Sequence, residues 1–141
     1  MKISAIIPAR GGSKRLEKKN IFPVAGKPML SYAVKACENS KYDISVFVST
    51  DCSEIAEVAS NLGVNVHNRS KENSGNKVYK QVAIREAALY IDSAFGPQDI
   101  YISLQANSPT ITENEIDNCI DALLKYNRDE IISRFHPGIK R

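Results

Sequence analysis

Short runs of Ile and Val alternate along this chain with stretches whose apolar residues recur at helical spacing, and no other feature constrains the fold as much. Lys2 to Pro8 (KISAIIP) is an Ile-rich run closed by a polar loop, the pattern of a strand buried on both faces. Behind Pro28, which sits where a first helical turn tolerates it, Met29, Leu30, Ala33, Val34 and Cys37 mark helix one. Ile44 to Ser49 reads as a second buried strand. Ser53 begins a helix whose Ile55, Val58, Ala59 and Leu62 share a face, with Gly63 as a left-handed stop. Val64 to His67 is a short third strand. A helix over about 77 to 92 carries Tyr79, Ala83, Ala87 and Ile91 at intervals of four, and Phe95-Gly96-Pro97 breaks it before a strand from Asp99 to Leu104. Thr112 and Glu115 form a capping box ahead of Ile116, Cys119, Ile120, Leu123 and Leu124. Glu130 to Ser133 reads as the start of one more strand. The alternation predicts an α/β fold, a mainly parallel sheet with helices on both faces and right-handed crossovers, in one domain over residues 1 to 141.

Composition removes whole classes of alternative. Gly and Pro are near average, and no period of 20 to 50 residues repeats, so collagen-like, low-complexity and solenoid architectures are excluded. The first apolar run is too short for a signal-peptide core or a membrane span, which predicts a cytoplasmic protein without a membrane partner. Cys37, Cys52 and Cys119 are odd in number and widely spaced, which suggests neither a disulfide framework nor a zinc site, and they read as small core residues.

Charge is concentrated rather than spread. Arg10, Lys14, Arg15, Lys18 and Lys19 stand against Glu17 alone within ten residues, while the rest of the chain is close to neutral. A nucleic-acid surface distributes Lys and Arg over a face and interleaves aromatics for single strands, so a compact polyanion fits this loop better and no nucleic-acid partner is expected. In a parallel sheet ligands bind beyond the carboxyl ends of the strands. Two loops occupy that edge, residues 8 to 20 and the loop after Leu104. Gly11 and Gly12 are adjacent, with no third glycine at the distance a dinucleotide fingerprint needs. Gly26-Lys27 is followed by Pro28 and has Ile21 five positions before it, which excludes a P-loop.

What remains is Pro8-Ala9-Arg10-Gly11-Gly12-Ser13-Lys14-Arg15, then Lys18-Lys19-Asn20, then Gly26-Lys27-Pro28. A glycine pair lets backbone N–H groups approach an anion, and Arg and Lys neutralise a triphosphate at several points. This order resembles the signature of the CMP-sugar synthetases, the cytidylyltransferases that activate sialic acid (N-acylneuraminate) and related nine-carbon acidic sugars. Val48-Ser49-Thr50-Asp51, Gly63-Val64 with Arg69, and Leu104-Gln105 with Ser108-Pro109 resemble further segments of that family, and His136-Pro137 resembles its H-P step, so the likeness runs over residues 1 to about 137. It implies a Rossmann-like nucleotidyltransferase sheet, CTP and an acidic sugar as partners, CMP-sugar and pyrophosphate as products, Mg2+ as cofactor, and a weak expectation of a homodimer.

The chemistry the resemblance implies is attack of the sugar's anomeric hydroxyl on the α-phosphorus of CTP, which requires the protein to align the triphosphate and stabilise charge on the leaving pyrophosphate. Arg10, Lys14 and Lys19 are assigned to the phosphates. Ala9, Gly11, Gly12 and Ser13 flank them with backbone or hydroxyl donors, and Asn20 lies close by. The resemblance implies nucleotide contact for Arg69 and sugar contact for Gln105 and Ser108. A buried strand-end amide is the structural alternative for Gln105, and a helix cap that for Asp51. His67 and His136 lack a carboxylate partner in sequence and are not assigned acid–base roles, His136 being the better placed toward the sugar. Tyr79, Tyr90 and Tyr101 read as core or interface. The pattern departs at Gln105-Ala106-Asn107-Ser108-Pro109-Thr110-Ile111, where the family has Thr and Arg, and at Lys80, which stands where small hydroxyl residues are expected. No D-x-D pair occurs, so no metal ligand is named. A non-catalytic nucleotide-binding or assembly protein that keeps the loop is the competing reading.

Overall fold

The computed structural model describes residues 1–12, 19–75 and 78–131. In chain order these form β1 (Ile3–Pro8), a 3-10 turn (Lys19–Ile21), β2 (Pro23–Val24), β3 (Lys27–Pro28), α1 (Leu30–Glu38), β4 (Ile44–Thr50), α2 (Ser53–Asn61), β5 (Asn65–Asn68), α3 (Lys80–Phe95), β6 (Ile100–Ser103) and α4 (Glu113–Lys125). Four strands make one sheet in the order β5-β4-β1-β6, with every pairing parallel. β1 is central, Ile3 lying between Ile44 and Ile100.

Period-two alternation in the buried strands sends successive side chains to opposite helical layers. Ile3, Ala5 and Ile7 of β1, with Val46 and Val48 of β4, pack with Leu30 and Val34 of α1, Ile55 of α2, and Ile116 and Ile120 of α4. Ile6 and Phe47 point the other way, onto Ala87 and Ile91 of α3. Each large aliphatic buried here contributes about 1.5–3 kcal/mol against exposure. The expected α/β architecture, a parallel sheet between two helical layers, is therefore what the chain adopts.

The differences from the sequence reading have local causes. Helix one starts at Leu30 rather than at Pro28, because Pro28 is held in a two-residue antiparallel ladder with Pro23. Ala25 and Gly26 between them have φ of 50° and 80°, the paired positive values of a type I′ hairpin turn. The Tyr32 hydroxyl of α1 donates to the Val24 carbonyl and ties this hairpin down. α3 starts at Lys80 and ends at Phe95, where Gly96 turns the chain at φ 91°. Tyr79 is consequently an extended cap residue, 78% exposed, and the buried stripe begins only at Ala83. Tyr101 does pack as expected, its hydroxyl donating to the Ala88 carbonyl at 3.0 Å, whereas Tyr90 is exposed at the rim. Thr112 caps α4, its hydroxyl oxygen accepting the Glu115 N–H at 3.3 Å.

Only Cys37 is fully buried, and Cys52 and Cys119 are half-buried. Burial, with Glu38 nearby, pushes the Cys37 thiol up to about 12. Glu130 and Ile131 are not in a strand; the remainder of that predicted strand lies outside the described residues. Among the described residues no helix is long and apolar enough to cross a membrane.

Candidate active site at the carboxyl edge

The chain order turns back between β1 and β6: β4 and β5 are added on one side of β1, and α3 then carries the chain across to β6 on the other. A crevice at such a reversal is where open parallel sheets bind ligands. Here it is a cavity of about 260 Å³, and Arg10, Lys19, Asn20, Arg69, Gln105 and Asn107 are among its lining residues.

The strand ends fix the cationic bend leaving β1. The Ala9 N–H donates to the Ser49 carbonyl at 2.8 Å, extending the pairing with β4 by one residue. The Gly11 N–H donates to Asp51 Oδ1 at 3.0 Å. A Cβ at Gly11 would lie 2.8 Å from Cys52 Cβ, closer than side-chain atoms pack, so this glycine is required by the approach of the bend to the start of α2. A Cβ at Gly12 would meet nothing within 4 Å among the described residues. The Asn20 amide closes the loop by donating to the Arg10 carbonyl at 3.1 Å and is itself buried. Asp51 thus holds the bend rather than capping α2, whose cap position is Cys52.

Arg69 follows β5 and is 8% exposed. Its N–H donates to the Thr50 carbonyl at 2.8 Å and its Nη2 to the Ser49 carbonyl at 3.1 Å. Its Nε has no partner among the described residues, which in a buried guanidinium leaves a strong donor unsatisfied at the cavity wall. Burial draws its pKa below the usual guanidinium range, while Asp51 and Glu86 work against that shift, and it stays charged at neutral pH.

Sequence reasoning missed Glu86. From the middle of α3 its carboxylate accepts the Ser70 N–H at 3.2 Å and the Asn73 amide at 3.1 Å, pinning the segment that follows Arg69. Burial alone would raise its pKa, but the hydrogen bonds from Ser70 and Asn73 outweigh it and hold the group below the usual carboxylate range. Its partners lie 13 and 16 residues away, so no local spacing announces them. His67 faces a carboxylate that is distant in sequence: Nε2 is 3.8 Å from Glu86 Oε2, and Nδ1 shares a 2.9 Å hydrogen bond with the Ser49 hydroxyl. Burial lowers its pKa against the pull of Glu86, keeping the ring neutral and structural.

That environment has a pH signature. The unfolded chain takes up a proton near the ordinary histidine value of 6.5 and folded His67 resists it, so the contribution is complete above that value and is lost as pH falls below it. The urea midpoint should therefore drop between about pH 7.5 and 5.5 more steeply in the natural chain than in His67→Asn. Equal slopes would show that His67 titrates freely.

Gln105 is exposed and Ser108 half-buried. Both line a larger cavity of about 620 Å³ between β6 and α4, and Gln105 lines the smaller one as well, so it is not the buried strand-end amide of the alternative reading. The structure thus brings Arg10, Lys19, Asn20, Arg69 and Gln105 to the smaller cavity and puts Ser108 in the adjoining one, while Ala9, Gly11 and Gly12 are not among the residues lining either. Ser13, Lys14 and His136 lie outside the described residues. Among the described residues no three His, Cys, Asp or Glu side chains converge as a cation site, so the Mg2+ that the resemblance implies finds no donor set here.

A cation-lined crevice at the strand reversal of a parallel sheet is where α/β domains of this architecture take their ligands. A solved CMP:2-keto-3-deoxy-manno-octonic acid synthetase complexed with CTP has this fold, at TM-score 0.75 and 23% identity, over 89% of this chain and 48% of that one. The cytidylyltransferase family pattern matches residues 4–137, and the chain belongs to that family. It is 36% identical over 131 residues to N-acylneuraminate cytidylyltransferase A of Danio rerio, covering 93% of this chain and 30% of that protein. It is 32% identical over 126 residues to the pseudaminic acid cytidylyltransferase of a Campylobacter jejuni strain, covering 89% of this chain and 54% of that protein. The chain thus spans from about a third to about half of the relatives it matches.

Proposed function

We propose that this chain binds CTP in the smaller cavity and transfers its cytidylyl group to an acidic sugar, a nine-carbon acid such as sialic acid or a relative. The carrying observation is the Nε of buried Arg69, which has no partner among the described residues and lies on the same cavity wall as Arg10, Lys19 and Asn20. A buried donor in a cationic crevice calls for an anionic or carbonyl-bearing ligand, and a nucleoside triphosphate offers both.

In this reading Arg10, Lys14 and Lys19 neutralise the triphosphate. Gly11, Gly12 and Ser13 present N–H or hydroxyl donors beside Ala9, Asn20 fixes the bend through the Arg10 carbonyl, and Arg69 contacts the nucleotide. Gln105 and Ser108 hold the sugar in the adjoining cavity. The anomeric oxygen bonds to the α-phosphorus as the bond to the pyrophosphate oxygen breaks; the hydroxyl proton leaves to solvent and the cations take up the charge of pyrophosphate. The described residues fit no cation centre, and no step is assigned to one.

Pyrophosphate release measured with CTP, Mg2+ and a panel comprising N-acetylneuraminate, pseudaminate and 3-deoxy-octulosonate tests the proposal. Release that depends on one of these acids and disappears in Lys19→Ala is the expected result. Thermal stabilisation by CTP without release would make the chain a nucleotide-binding module, and stabilisation by RNA in preference to CTP would overturn the assignment.

A further inference from the structure

Lys80 is the sequence departure that the site described so far does not use. It is the first residue of α3, and Lys80 and Gln105 are the two residues that line both cavities. The larger cavity takes Glu115 from α4, and Asp129 and Glu130 from beyond it, so its other charged lining residues are carboxylates. Lys80 is the one cation among its described lining residues. Among the described residues no carboxylate pairs with it, and partial burial of its flank holds its ammonium below the usual lysine range. An ammonium at the junction of two cavities, with no carboxylate partner among the described residues, is placed to take an anionic ligand.

We propose that Lys80 binds the carboxylate of the acceptor sugar at the junction of the two cavities and so selects acidic over neutral acceptors. This rests on the cytidylyltransferase reading above. The rest of such a sugar is a polyol, whose hydroxyls donate to carboxylates, and Glu115, Asp129 and Glu130 offer acceptors on the other elements of the larger cavity. The acid group therefore has one favourable place in a cavity otherwise lined by its own sign of charge.

The test is calorimetric titration of the chain and of Lys80→Gln with a CTP analogue bearing an α,β-methylene bridge, which cannot release pyrophosphate. The bound complex is then titrated with N-acetylneuraminate, pseudaminate or 3-deoxy-octulosonate, and with the carboxamide of each. Lys80 is exposed, so the substitution leaves the fold intact. The natural chain is expected to bind one acid about tenfold or more tighter than its amide, and Lys80→Gln to erase that difference while holding the analogue within about twofold. Three outcomes overturn the proposal alone: equal binding of acid and amide by the natural chain, no acid bound to the analogue complex, or Lys80→Gln weakening the analogue instead, which would assign Lys80 to the triphosphate. Failure of the analogue itself to bind defeats the cytidylyltransferase reading, and the proposal with it.

Discussion

Arg69→Met is expected to weaken CTP binding about ten- to a hundredfold with little loss of stability in the free chain. The size follows from removing a charged donor whose hydrogen bond to a ligand is worth about 1.5–3 kcal/mol. The fold tolerates the change because the Ser49 carbonyl, which accepts Arg69 Nη2, also accepts the Ala9 N–H at 2.8 Å and is not orphaned. The methionine stem fills the buried volume, and the desolvation that draws the Arg69 pKa down is relieved. Isothermal titration with CTP and urea unfolding of the free chain separate the two effects. A large fall in stability with unchanged CTP affinity would make Arg69 a structural residue.

Gly11→Ala is expected to destabilise the free chain by about 1–3 kcal/mol and to abolish the rise in Tm on adding CTP. Its new Cβ would meet Cys52 Cβ at 2.8 Å, and relief by moving the bend away from α2 breaks the Gly11 N–H bond to Asp51. Gly12→Ala, one residue on, meets nothing within 4 Å among the described residues and should be silent in stability. Cys52→Gly removes the obstructing atom at a cap position that glycine tolerates, so the double substitution should recover the CTP response. Both readouts come from thermal scans with and without CTP. A stable Gly11→Ala chain that still responds to CTP would remove the close approach from the account.

How much of this was legible in the sequence depends on whether the cause was local. Ile3–Pro8 and Ile44–Thr50 announced themselves because a strand buried on both faces leaves a continuous apolar run, and Thr112 because a cap and its N–H partner are three residues apart. The hairpin at 23–28 was hidden: its short strands are Pro-rich, and Ala25 gives no hint of the positive φ its neighbour Gly26 helps impose. Tyr79 fitted the spacing of α3 yet lies outside it, because periodicity does not mark where a helix begins. The cationic bend was visible as a composition anomaly. Glu86 was not, since it works across a gap in sequence that only the packing of α3 against the sheet closes. Lys80 stood out as a departure, but its place between two cavities depends on β6 lying beside β1.

A crystal structure of the chain with CTP bears most directly on the central claim, that the bend after β1 wraps a nucleotide triphosphate. The phosphates should lie against the Gly11–Gly12 backbone with Arg10 and Lys19 around them, and Arg69 Nε should have acquired a partner on the nucleotide. CTP seated in the larger cavity between β6 and α4, with the bend empty and Arg69 Nε still alone, would contradict the account.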